Sequence, residues 1–206
     1  MRKIAESTVR RLSLYLRLLE EFGGQGKETV SSEVLATRAG TTSAQVRKDL
    51  SFFGSFGKRG LGYSVPELTV RLRDILGLKR SYQVLVVGAG KIGSALAQYR
   101  GFAERGFRVT AVYDADPGKV GLRWNGLVVR DVRQLEQDLA RDHMDIAIVS
   151  TPPNAAQEVT DRLVRSGIRA ILNFAPVQLV LPRDVAVKNV NMALELETLS
   201  YALRHR

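Results

Sequence analysis

The chain has 206 residues and a formal charge of +10, a length that suits one large domain or two modest ones. It has no cysteine and two histidines, which excludes a disulfide framework, a thiolate zinc site and a cysteine nucleophile, and suits a reducing cytoplasm. The basic balance fits a polyanionic partner, an anionic membrane surface or a solvated face equally well. No apolar run is long enough to span a bilayer, and Met1 to Glu6 precede no signal-peptide core.

The elements follow in chain order. Val9, Leu12, Leu16 and Leu19 recur at helical spacing, with Tyr15 and Phe22 widening the stripe until Gly23 and Gly24 end it. Ser31 and Ser32 can cap a second helix over Val34, Leu35 and Ala39, with Gly40 turning the chain after it. Thr42 to Gln45 has the capping-box form and opens a third helix whose inner side is Val46, Leu50 and Phe53. Gly54, Gly57, Gly60 and Gly62 then suit a glycine-rich β-hairpin. A second capping box, Ser64 to Glu67 with Pro66 inside the helix start, opens a helix that Gly77 closes. Lys79-Arg-Ser81 is the expected boundary. Strands at 83–87, 107–112, 146–150, 170–173 and 185–190 alternate with helices from Ile92 and over 155–164, which implies a parallel sheet covered on both faces. Leu196, Leu199 and Leu203 give the last segment helical spacing. The expectation is an α/β chain with a winged helix-turn-helix over 1–78, a Rossmann-type parallel-sheet domain over 79–190 and a C-terminal helix over 191–206.

Gly88-Ala-Gly-Lys-Ile-Gly93 follows an apolar strand and opens a helix, the context in which G-x-G-x-x-G binds a dinucleotide. Gly88 permits the tight turn, Gly90 the approach of a pyrophosphate, and Gly93 close helix packing, while Ala89, Lys91 and Ile92 complete the loop. Asp114 ends the next strand, where a carboxylate accepts bonds from an adenosine ribose and repels a 2′-phosphate. That favours NADH and NAD+, although Lys91 and Arg108 keep the phosphorylated cofactor open.

On the third helix, inward Val46, Leu50 and Phe53 leave Ser43, Ala44, Lys48 and Ser51 outward, with Gln45 and Arg47 flanking. Arg and Lys pair with guanine, Gln with adenine, and Ala meets a thymine methyl, so this face suits a DNA major groove. The hairpin tip Lys58-Arg59-Gly60 suits phosphates or a minor groove. No catalytic residue is expected, since His143 beside Asp142 and Asp145, and His205 in the tail, read as surface residues. Two other readings stay open: a small NAD-dependent oxidoreductase with a nucleic-acid-binding head, and an interaction module that binds no nucleotide.

Five strings carry a resemblance over essentially the whole chain: Gln45-Val-Arg-Lys-Asp-Leu-Ser-Phe-Phe-Gly54, Gly60-Leu-Gly-Tyr63, Gly88-Ala-Gly-Lys-Ile-Gly-Ser-Ala-Leu-Ala97, Tyr113-Asp-Ala-Asp-Pro117 and Ile171-Leu-Asn-Phe-Ala-Pro176. The chain resembles the Rex redox-sensing transcriptional repressors. The resemblance implies a homodimer that binds palindromic double-stranded operator DNA when NADH is scarce and releases it when NADH binds. It also implies a terminal helix, from Met192, exchanged between subunits. By the same resemblance Tyr99 stands near the nicotinamide, with Thr151, Pro152, Asn173 and Phe174 around that ring. Arg17 matches one partner of a cross-subunit ion pair, but Asn191 stands where an aspartate is expected, so any switch there lacks one charge.

Overall fold

The structure is a computed structural model that describes residues 4–58 and 61–205, with Lys58 described by its backbone alone. The expected hairpin-tip residues Arg59 and Gly60 lie outside the described residues. The chain divides into two compact units, Met1–Arg80 and Ser81–Arg206.

The first unit runs α1 (Glu6–Gly24), β1 (Thr29–Val30), α2 (Ser32–Ala39), α3 (Ser43–Ser51), β2 (Gly57–Lys58), β3 (Gly62–Ser64) and α4 (Val65–Ile75). Leu12, Tyr15, Leu16, Leu19 and Phe22 bury one face of α1 against Leu35, Val46, Leu50, Leu68 and Leu72. Gly40 holds a left-handed φ of 63° between α2 and α3, the tight connection that glycine permits without a Cβ penalty. Strand β1, too short to show alternation in the sequence, pairs antiparallel with β3 through Thr29–Ser64 and Val30–Tyr63. That pairing explains Gly62: its φ is 79° and a Cβ there would lie 2.5 Å from the Val30 carbonyl oxygen.

The second unit holds β4 (Tyr82–Val87), α5 (Lys91–Ala97), α6 (Arg100–Glu104), β5 (Phe107–Asp114), β6 (Arg123–Trp124), β7 (Leu127–Asp131), α7 (Leu135–Leu139), β8 (Ile146–Val149), α8 (Pro153–Arg165), β9 (Ala170–Asn173), β10 (Ala186–Asn189) and α9 (Met192–Arg204). The sheet order is β10-β9-β8-β4-β5-β7-β6. Its pairings are parallel apart from the antiparallel edge pair β6–β7. The chain builds outward from β4 through β5 to β7, then returns to lay β8 on the other side. The sheet therefore reverses direction beside β4, and in such sheets ligands bind at the carboxyl ends of the strands flanking the reversal.

Several elements differ from expectation, β1 and α7 among them. The helix from Ile92 is two helices, α5 and α6, broken at Gln98 and Tyr99. Tyr99 turns back over Gly101, where a Cβ would lie 2.7 Å from its ring, and packs edge-on against Phe102 at 5.1 Å. The hairpin β6–β7 also went unforeseen, although Asn125 (φ 47°) and Gly126 (φ 87°) form the Asn-Gly pair that favours such turns. Among the described residues no helix is long and apolar enough to cross a membrane.

Candidate functional site

Register assembles the glycine loop. Val87 of β4 pairs with Val149 of β8 and with Tyr113 of β5, so Gly88, Ser150 and Asp114 emerge side by side at the carboxyl edge of the sheet. The three glycines have different causes. Gly88 has φ 104° and a Cβ on it would lie 2.6 Å from the Ser150 carbonyl oxygen, whereas a Cβ on Gly93 would lie 1.8 Å from the Gly88 carbonyl oxygen. Gly90 has nothing within 4 Å of its Cβ position, so its missing side chain leaves open space rather than relieving a clash. Ser150, absent from the expected set, donates its hydroxyl to the Gly88 carbonyl at 2.9 Å and fixes the turn.

Asp114 closes the loop from the other side. Its carboxylate accepts the Ala89 amide at 2.5 Å and the Asp116 amide at 2.8 Å, and lies 3.3 Å from the Lys119 ammonium. Burial disfavours the charged form, but these amides and Lys119 outweigh it and hold the carboxyl below the usual range. Lys119 also lies 3.6 Å from Asp116. It was not among the expected residues, and its position five after Asp114 carries no motif signal.

A cavity of about 720 Å³ opens on this edge, lined by Gly88, Gly90, Ile92, Asp114, Lys119, Thr151, Pro152 and Phe174. Thr151 Oγ1 is buried and has no hydrogen-bond partner among the described residues. A buried hydroxyl is costly when unpaired, so a polar group bound here would satisfy it. An ionised carboxylate, an open glycine and an orphaned hydroxyl on one cavity fit a dinucleotide.

Other expected cofactor residues stand elsewhere. Asn173 is fully buried and does not line the cavity. Its amide nitrogen donates to the Val177 carbonyl and Asn189 Oδ1, and its oxygen accepts the Ala175 amide, each at 2.9 Å. It holds the turn that presents Phe174. Tyr99, 60 % exposed, lines a separate depression with Phe102 and Arg108. Lys91 is exposed at the first position of α5, and Ala89 contributes its backbone amide. Among the described residues no His, Cys, Asp and Glu cluster could hold a metal.

In the first unit, Thr42 caps α3 by accepting the Gln45 amide at 3.1 Å. Ala44, Arg47, Lys48 and Ser51 are exposed and Ser43 is half-buried, with Val46 and Leu50 in the core. Arg47 donates to the Ser32 hydroxyl at 2.9 Å, joining α3 to the start of α2. The capping box is only half formed, because the Gln45 side chain turns forward and donates to Asp49 Oδ1 at 2.8 Å. Asp49, fully buried, also accepts Arg11 Nε at 2.6 Å, Arg11 Nη2 at 2.7 Å and the Tyr15 hydroxyl at 3.0 Å. Burial opposes its charge, yet bonds from Arg11, Gln45 and Tyr15 keep it ionised below the usual carboxylate range. Arg17 is exposed on α1, and Asn191 caps α9 by accepting the Ala193 amide at 3.0 Å.

The family model described as "Putative DNA-binding protein N-terminus" matches residues 3–51, and that described as "CoA binding domain" matches residues 79–177. The redox-sensing transcriptional repressor Rex of Syntrophomonas wolfei is 45% identical over 201 residues, covering 98% of this chain and 96% of its own. That of Streptomyces coelicolor is 47% identical over 200 residues, covering 97% and 78%. The chain belongs to the Rex family. Among solved Rex-family structures, the repressor RSP in complex with β-NAD+ and operator DNA aligns with a TM-score of 0.94 at 40% identity, covering all of this chain and 94% of that one. RSP in complex with β-NADH aligns at 0.90 with 38% identity, covering 100% and 96%.

Proposed function

We propose that this Rex-family chain is a transcriptional repressor that senses the NADH/NAD+ balance, holding operator DNA when NADH is low and releasing it when NADH binds. The observation that carries the reading is one chain bearing both a helix-turn-helix with a cationic outer face and a cavity where Gly90, Asp114 and Thr151 fit a dinucleotide. Gly90 lets the loop amides approach a pyrophosphate and Asp114 accepts ribose hydroxyls. Its charge disfavours a 2′-phosphate, so NADH and NAD+ are the effectors rather than their phosphorylated forms. Lys119 beside Asp114 tempers that exclusion without removing it.

The first unit acts as a winged helix-turn-helix, with α3 in the major groove and the β2–β3 hairpin against the phosphates or in a minor groove. The second unit acts as a regulator without catalytic residues. A homodimer in the cytoplasm completes the reading, because a palindromic operator offers two half-sites about 34 Å apart or a multiple of that and needs a two-fold pair of heads. We assign α9 to that dimer. Its Met192, Leu196, Leu199 and Leu203 form a stripe at helical spacing, and all are more than half exposed. A stripe of this kind on one chain marks a contact with another. Tyr99, exposed on the same unit, and Asn173, committed to its turn, then act on the cofactor by dimer contact and by positioning Phe174 respectively.

Release follows from differential affinity: NADH must bind the non-DNA arrangement of the dimer more tightly than the DNA-bound one, since a ligand shifts an equilibrium only by that difference. Fluorescence anisotropy of a labelled operator duplex, at fixed salt with NADH, NAD+ and NADPH added separately, tests the reading. Release by NADH alone supports it. Retention under all three would separate DNA binding from redox sensing, and consumption of NADH with a carbonyl compound would mark an oxidoreductase.

A further inference from the structure

Gln45 sits where a helix in the major groove would read a base, and glutamine is well suited to adenine. Yet one of its two amide N–H groups is already committed, and that bond fixes where the other N–H and Oε1 point. Nε2 donates to Asp49 Oδ1 at 2.8 Å, one turn further along α3. Asp49 is wholly withdrawn from solvent and receives two bonds from the Arg11 guanidinium and one from the Tyr15 hydroxyl, both on α1. Thr8 Oγ1 lies 3.5 Å from the same carboxylate. A buried carboxylate with a two-pronged arginine and further donors has a single favourable orientation. Taking Gln45 away to reach a base would strip one donor from a charge that water cannot reach.

We propose that Gln45 is a positioning residue rather than a base reader. With Asp49, Arg11 and Tyr15 it clamps α3 to α1, so that Ala44, Lys48 and Ser51 meet the groove as one rigid set. The proposal rests on the DNA-binding reading above and narrows which residues of α3 set its specificity. Arg47, tied to Ser32 at 2.9 Å, braces the same helix from the α2 side, so the two flanks of α3 are held while its centre faces outward.

The test uses the full chain and a panel of operator duplexes, starting from the family operator bound by RSP, with each base pair of a half-site substituted in turn. In Gln45→Lys the ammonium can still donate to Asp49 at the i, i+4 spacing, but it cannot make the paired contact to adenine and would favour guanine. A positioning role predicts affinities within about threefold of the original across the panel and an unchanged base preference. A reading role predicts a change confined to one base pair per half-site, of roughly fivefold to a hundredfold, and that pattern would overturn the proposal. Arg11→Met tests the clamp itself. The expected result is operator affinity reduced about tenfold or more while affinity for scrambled duplex stays within about twofold, because phosphate contacts tolerate a misplaced helix and base contacts do not. An equal drop on both duplexes, tracking the folded fraction seen by circular dichroism, would reduce the clamp to ordinary stability and overturn that part. If the unaltered chain fails to prefer operator over scrambled duplex, the DNA-binding reading itself falls, a result distinct from either pattern above.

Discussion

Glycine 90 and glycine 93 look alike in the motif, but they respond differently to a methyl group. Gly90→Ala should leave thermal stability within about 0.5 kcal/mol, since its Cβ meets nothing and its φ of −78° suits alanine. The same methyl would stand where a pyrophosphate must approach, so NADH binding by calorimetry should be lost. Gly93→Ala should instead unfold the second unit at a lower temperature, by several kcal/mol, because the new atom collides with the Gly88 carbonyl. Asp114→Asn should weaken NADH by about tenfold or more, since it removes a charged acceptor that also ties down the Ala89 amide. At this scale the sequence told much. Motif spacing located Gly88, Gly90, Gly93 and Asp114, because backbone geometry imposes that spacing. It did not locate Ser150, which acts through a contact between strand ends, or Lys119, whose spacing from Asp114 matches no motif, nor show that Asn173 is spent on its own turn.

At the scale of elements, α2, α3 and the turn between them were legible because caps, periodicity and Gly40 are local signals. Strand β1 was not, since two residues that pair with β3 carry no period. The clamp was equally hidden: Arg11 and Asp49 are far apart in sequence, and nothing local says that they meet. Its energetics follow from burial. Asp49→Ala should destabilise the first unit by about 1–3 kcal/mol, the usual cost of leaving a buried donor, here the Tyr15 hydroxyl, without its acceptor. The pH sign is fixed by the depressed carboxyl of Asp49. Its contribution is complete above the ordinary carboxylate value of about 4 and is lost as pH falls through the lower folded value. The stability gap between the original chain and Asp49→Asn in urea titrations should therefore shrink as the pH is lowered from 5 towards 2. A gap that widened would contradict the assignment of an ionised Asp49. Thr42→Ala, which removes the α3 cap at 3.1 Å, should cost about 1 kcal/mol by the same titration.

For the whole molecule, the parallel sheet follows from alternating strands and helices, while its strand order and the hairpin β6–β7 at one edge do not. Helix α9 is different, because its periodicity was plain while its apolar stripe stays exposed. If α9 joins two copies, Leu196→Asp with Leu199→Asp should convert a dimer to a monomer in sedimentation velocity without lowering the melting point of the first unit. A dimer that persisted would move the interface elsewhere. The arrangement of α3 also bears on how such a regulator can change its targets over generations. Ala44, Lys48 and Ser51 are exposed, and replacements at such positions usually alter stability by less than about 0.5 kcal/mol. Arg11 and Asp49 are best replaced together, since replacing Arg11 alone strands the buried carboxylate of Asp49 and replacing Asp49 alone leaves the buried Tyr15 hydroxyl without its acceptor. If those three side chains read the operator as proposed, its preference can drift by single steps on one face of the helix while the scaffold behind it stays fixed, and a designer who wishes to redirect this protein to a new sequence can work on three side chains and leave the fold alone.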